Sequence, residues 1–157
     1  MSDTRPVLVL TGATGNIGSK LRQHWQGRYE IRPIDLNRRG DESVLCADLS
    51  TRDERRESQL QGADFLVHLA ANPDILQSWE SAQRNIRVDY LVFQAARQAR
   101  VRRILYGSSN HVMGGYQDVS KPWKLPTDLP PRPGIYRDLD GKPVCSHNYS
   151  LAKLCGE

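Results

Sequence analysis

Two short runs in this 157-residue chain combine residue types that could do chemistry. The first is Thr11-Gly12-Ala13-Thr14-Gly15-Asn16-Ile17-Gly18, which follows an apolar run and leads into a stretch of helical period. Glycines at 12, 15 and 18 would permit a tight turn, close approach of the backbone to a pyrophosphate, and close helix–strand packing. The free N–H groups at the helix start would then favour phosphate. An ordinary turn can carry the same glycines, so the strand–turn–helix context is what points to a dinucleotide. The second run is Tyr149-Ser150-Leu151-Ala152-Lys153, whose Tyr149 and Lys153 share one face of a helix. A free phenol has a pKa of about 10, and a neighbouring ammonium favours the phenolate, which is what a general base near neutrality needs. The same spacing also arises as a plain surface pair.

Further residues fall where a dinucleotide would need them. Asp35 ends the second apolar run, where a carboxylate would accept hydrogen bonds from the adenosine ribose and repel a 2′-phosphate, favouring NAD over NADP. Arg38 and Arg39 follow closely, and guanidinium groups there could hold that phosphate. Asp48 and Leu49 either border the adenine or form a strand-ending turn. Ala70 and Ala71 are small residues at the end of another apolar run, leaving room for a ligand at a sheet edge.

These residues need elements to position them. Val7–Leu10, Tyr29–Asp35, Ser43–Ala47, Phe65–Ala70 and Arg103–Tyr106 read as strands, the fourth buried on both faces. Ile17, Leu21 and Trp25 recur at i, i+4, i+8 and give the intervening helix one apolar face. Val88, Leu91, Val92, Ala95, Ala96 and Ala99 mark a longer helix over about Ala82–Ala99, and His147–Glu157 resumes helical period. Alternating strands and helices predict an α/β fold, a Rossmann-type doubly wound parallel sheet with helices on both faces. From Asn110 to Cys145 the pattern stops, with Pro122, Pro126, Pro130, Pro131, Pro133 and Pro143 in the stretch. A long functional loop is the expectation there.

Composition excludes several classes. Lys plus Arg number 22 against 18 Asp plus Glu, and the pairs Arg38–Arg39, Arg55–Arg56 and Arg102–Arg103 are scattered. They read as exposed helix faces rather than a nucleic-acid stripe. No run approaches the roughly 18 apolar residues of a membrane span. Met1–Pro6 is polar and unlike a signal peptide. Cys46, Cys145 and Cys155 are odd in number and lack metal-ligand or CxxC spacing, so reduced thiols in a cytoplasmic protein, with no metal site, are expected.

The motifs TGATGNIG (Thr11–Gly18), Asp35, ADL (Ala47–Leu49), VHLAA (Val67–Ala71), Asn85 within NIRVDYLVFQAAR, LYGSS (Leu105–Ser109) and YSLAKLCGE (Tyr149–Glu157) follow one another along nearly the whole chain. In that order they resemble the N-terminal part of an extended short-chain dehydrogenase/reductase, of the NAD-dependent epimerase/dehydratase superfamily. The resemblance implies that Tyr149 is the catalytic base, that Lys153 lowers its pKa and holds the nicotinamide ribose, and that Ser109 hydrogen-bonds the reacting oxygen. It also implies that Gly12, Gly15, Asn16, Ile17, Gly18, Asp48, Leu49, Ala70 and Ala71 contact NAD, with Asn85 anchoring its nicotinamide side. Asn85 could equally be a polar residue near a helix start.

The segment Ser108-Ser109-Asn110-His111 is similar to that of uronate dehydrogenases and related sugar dehydrogenases, which implies that Ser109, Asn110 and His111 line a sugar pocket. A histidine there could instead cap the loop. The 4,6-dehydratases carry an Asp-Glu pair where Asn110 and His111 stand, and many nucleotide-sugar epimerases have Tyr where Met113 stands. The expected function is NAD-dependent oxidation of a sugar or sugar-acid hydroxyl. A nucleotide-sugar epimerase and a non-catalytic NAD-binding fragment are the alternatives. Two departures touch the substrate: Pro73 replaces an expected substrate-binding serine, and Arg137–Lys142 is an insertion. Extended members continue beyond YxxxK, so residues 1–157 are expected to be an incomplete NAD(P)-binding domain without the C-terminal substrate-binding region. A full-length form would dimerise through the helices carrying Asn85 and Tyr149.

Overall fold

The computed structural model describes residues 5–116, 124–137 and 140–157. Two compact units divide the chain, one formed by residues up to 71 with 87–107, the other by 72–86 with 108–157.

The first unit holds β1 (Val7–Thr11), α1 (Asn16–Trp25), β2 (Glu30–Asp35), β3 (Leu45–Cys46), α2 (Glu54–Leu60), β4 (Phe65–His68), most of α3 (Trp79–Gln98) and β5 (Arg103–Tyr106). All five strands are parallel, in the order β3-β2-β1-β4-β5. Side chains alternate along a strand, and β1 shows the result. Val9 joins Ile34 and Leu66 in a core completed by Leu60 of α2 and by Val88, Val92 and Ala96 of α3. Leu8 and Leu10 face the other way, with Val67, onto Leu21 and Trp25 of α1. Helices therefore cover both faces, as the alternating pattern predicts. The chain leaves β1 toward β2 on one side and returns to β4 on the other, so the carboxyl ends of β1 and β4 form the switch point where open α/β sheets bind ligands.

Several expectations change in detail. Ile17 is 60% exposed, so the apolar face of α1 begins only at Leu21. Helix α2 has no apolar period and is set instead by its cap, the Asp53 carboxylate accepting from Arg55 N at 2.9 Å. Arg56 is not on an exposed face: it is 1% exposed, with Nη1 donating to the Leu49 and Thr51 carbonyls at 3.4 and 2.8 Å. Those carbonyls lie in the loop between β3 and α2.

The second unit contains a 3-10 helix (Asn110–Tyr116), an antiparallel hairpin of β6 (Ile135–Arg137) and β7 (Pro143–Cys145), and α4 (His147–Cys155). The stretch expected to be irregular thus carries two ordered pieces. Proline is tolerated in β7 because Pro143 is the first residue of its strand. Gly115 donates its N–H to Arg132 O at 2.8 Å, an approach that leaves no space for a Cβ. Pro122, and Asp138 and Leu139 of the insertion, lie outside the described residues.

Candidate active site

In the first unit the turn after β1 is built by contact. Gly12 has φ +68°, and a Cβ on it would lie 2.9 Å from Ala70 N at the end of β4. A Cβ on Gly18 would collide with the Gly12 carbonyl, so α1 packs tightly on its own turn. Gly15 differs: its φ is −69°, it is the N-cap of α1, and no side chain caps the helix there. The first N–H groups of α1 are thus left to a ligand, beside the exposed Asn16 and Ile17. This turn fits a pyrophosphate.

The Asp35 carboxylate braces the same turn, accepting from Thr14 N at 2.9 Å through Oδ2 and from Leu36 N at 2.7 Å through Oδ1. Arg38, expected near a 2′-phosphate, is paired with Glu42 at 2.6 Å. Asp48 Oδ1 accepts from Ser50 N and Ser50 Oγ at 2.9 and 2.7 Å, the geometry of a turn. Leu49 is buried in the core. Ala70 and Ala71 are half-buried, and Ala70 N donates to Thr11 Oγ1 at 3.3 Å.

In the second unit α4 carries Tyr149, half-buried, and one turn later Lys153, which is 3% exposed. The 3-10 helix brings His111 against this helix. Its ring meets Tyr149 edge-on at 5.7 Å, and Nδ1 lies 3.0 Å from the hydroxyl of buried Ser146. Burial pushes the His111 pKa below its ordinary 6.5, which favours the neutral imidazole. Ser109 opens the 3-10 helix, its hydroxyl accepting from His111 N at 3.3 Å and its carbonyl from Val112 N at 3.1 Å. Ser108 donates to the Glu157 carboxylate. A cavity of about 390 Å³ opens at Ser109, lined by Val112, Met113, Leu125 and Pro131 among others. Asn110 is exposed at the start of the 3-10 helix.

Asn85 is 4% exposed, and its carboxamide is engaged by protein. Oδ1 accepts from Asn72 N at 2.8 Å, while Nδ2 donates to Asn72 O at 3.1 Å and to Gln77 Oε1 at 3.3 Å. It braces the loop after β4. Gln77 also takes the Ser81 hydroxyl at 2.9 Å, and its carbonyl accepts from Asn148 Nδ2 at 3.1 Å, tying that loop to the residue before Tyr149. Gln77 Nε2 is buried without a partner among the described residues. Sequence reasoning missed Gln77 and Asn148, whose only signal is an amide side chain at each end. Pro73 lies exposed in the same loop.

Among the described residues, no three His, Cys, Asp or Glu side chains gather as a metal site, and no helix is long and apolar enough to cross a membrane. The sequence pattern of the NAD dependent epimerase/dehydratase family matches residues 8–157. The chain belongs to this family. Within it, the chain is 33% identical over 162 residues to an L-arabinose 1-dehydrogenase (NAD(P)(+)) of Haloferax volcanii, covering 96% of this chain and 58% of that one. It is 29% identical to a uronate dehydrogenase of Pseudomonas putida, covering 96% and 52%. The structure of uronate dehydrogenase from Agrobacterium tumefaciens superposes with a TM-score of 0.72 at 27% identity, covering 97% of this chain and 53% of that one. The chain therefore spans about half the length of the relatives it matches.

Proposed function

We propose that this chain carries the NAD-binding and proton-transfer residues of a dehydrogenase that oxidises a hydroxyl of a sugar or sugar acid. The observation that carries the reading is the seating of His111 on Tyr149, with Ser109 hydrogen-bonded to the same short helix. This contact supports reading the SSNH segment as part of the site around Tyr149, and Asn110 and His111 stand where a dehydratase would need carboxylates. Relatives named as sugar and uronate dehydrogenases support the substrate class.

In this reading the α1 N-terminus and Gly15 hold the pyrophosphate, Asp35 faces the adenosine ribose, and Ala70 and Ala71 leave room beside it. Asp35 favours NAD, and the Arg38–Glu42 pair withholds one guanidinium from a 2′-phosphate. NAD, when bound, supplies the hydride acceptor. Lys153 steadies Tyr149 as the phenolate, the phenolate takes the proton from the substrate hydroxyl and becomes the neutral phenol, and Ser109 donates to the reacting oxygen. Neutral His111 binds a substrate hydroxyl or carboxylate through Nε2. Residues 1–157 form the NAD-binding domain in this assignment. The three exposed thiols suit a reducing cytoplasm, and the exposed Trp79 and Tyr90 of α3 suit a homodimer contact of the full-length protein.

Titrating the chain with NAD by calorimetry and following NADH absorbance with uronates and aldoses tests the proposal. Binding, with NADH formation that Tyr149→Phe lowers by about 10²–10⁴-fold, is expected. Sugar interconversion without net NADH would identify an epimerase instead. Binding without turnover would mark a cofactor-binding fragment, and no binding would overturn the cofactor assignment.

A further inference from the structure

A line of hydrogen bonds in the first unit has no part in the proposed chemistry. It joins Thr11 at the end of β1, His68 at the end of β4, Asp89 on α3 and Tyr106 at the end of β5. Thr11, His68 and Asp89 are 1%, 0% and 4% exposed. Thr11 Oγ1 lies 2.5 Å from His68 Nδ1, His68 Nε2 lies 3.0 Å from Asp89 Oδ1, and the Tyr106 hydroxyl donates to Asp89 Oδ2 at 2.6 Å. Phe93 packs edge-on against both the His68 and Tyr106 rings.

The protons in this line have one consistent arrangement. Thr11 Oγ1 already accepts from Leu69 N at 3.2 Å and Ala70 N at 3.3 Å. A hydroxyl has two lone pairs and one proton. With both lone pairs taken, the Thr11 proton goes to His68 Nδ1. The ring hydrogen then sits on Nε2 and is donated to Asp89, whose other oxygen receives Tyr106. In the opposite tautomer, His68 would turn a bare Nε2 to the Asp89 carboxylate and aim an N–H at Thr11 Oγ1, displacing an amide. Leu69 N also reaches the Thr11 carbonyl at 3.2 Å, so Ala70 N–H is the amide that depends on Oγ1.

We infer that His68 and Asp89 are positioning residues for the turn that holds the cofactor. Asp89 fixes His68 as the Nε2–H tautomer, His68 takes the Thr11 proton, and Thr11 keeps both lone pairs for Leu69 N–H and Ala70 N–H. Those bonds hold the end of β4 beside Gly12, whose Cβ position is 2.9 Å from Ala70 N, and so set the gap at the switch point. The functional consequence rests on the dinucleotide reading above; the hydrogen-bond line itself does not.

The test compares His68→Phe, which keeps a ring and loses both nitrogens, with His68→Gln, which keeps one acceptor and one donor. In the wild type, imidazole ¹⁵N shifts should show Nδ1 bare and Nε2 protonated. Loss of a hydrogen bond worth about 1 kcal/mol predicts a roughly five- to tenfold rise in the NAD dissociation constant for His68→Phe. The Ala70 amide should exchange faster by a similar factor, the Leu69 amide less because it keeps the Thr11 carbonyl, and His68→Gln should restore most of the affinity and of the Ala70 protection. A fall in melting temperature with NAD affinity and the Ala70 amide unchanged would reduce His68 to a core residue and overturn the inference. So would an Nδ1–H tautomer in the wild type, which also decides the matter should His68→Phe not fold. If the wild type binds no NAD, the cofactor reading falls, while the tautomer and the amide exchange still judge the positioning role.

Discussion

Gly15 and Gly18 sit three residues apart and answer different demands. A methyl group on Gly18 would strike the Gly12 carbonyl, so Gly18→Ala should cost about 1–3 kcal/mol, read as a lower denaturant midpoint. Gly15 has an ordinary φ and only one near neighbour, Gly12 O at 3.2 Å. Gly15→Ala should therefore lower the midpoint less than Gly18→Ala does and weaken NAD binding, which calorimetry would detect. His111 brings a pH dependence. Its folded pKa is depressed, so the unfolded chain takes up the proton first as pH falls. Its contribution to stability is full above about 6.5 and is lost as pH drops through the lower folded value. Chemical denaturation of His111→Asn, against wild type between pH 7.5 and 5, should show a flatter decline. The tight turn at Gly12 and Gly18 and the helix carrying Tyr149 and Lys153 were legible because each lies in one contiguous run. Asn85 was not fully so: its amide is bonded to Asn72 and Gln77, partners that only folding supplies.

At the scale of elements, legibility followed hydrophobic period. Strand β5 and helices α1, α3 and α4 have a clear apolar pattern and lie close to their expected places. Helix α2 has only Leu60 and Arg56 turned inward, and a buried arginine reads in sequence as a surface residue. Its formation depends on the Asp53 cap, so Asp53→Ala should cost about 1 kcal/mol by denaturant unfolding. Arg56→Met should cost more. The thioether cannot donate, and the Leu49 and Thr51 carbonyls lose a charged donor, with about 1–3 kcal/mol for each group left unmet. The β6–β7 hairpin was hidden for a different reason: proline signals a break, and Pro143 stands at the one strand position that tolerates it.

At the scale of the whole chain, the sheet runs from β3 at one edge to β5 at the other, and Ile104 and Leu105 of β5 are 39% and 51% exposed. An apolar edge strand invites pairing with another chain. This polypeptide should associate as its concentration rises, and Leu105→Lys should reduce that association in light scattering. The middle of the sheet has the opposite character. Strand β1 is bonded to a neighbour on each side and separates the two cores, with Val9 in one and Leu8 and Leu10 in the other. No local opening can free its amides without dissolving both cores. Deuterium should therefore enter β1 last, at a rate that reports global unfolding of this unit, while the edges of the same sheet exchange through smaller fluctuations.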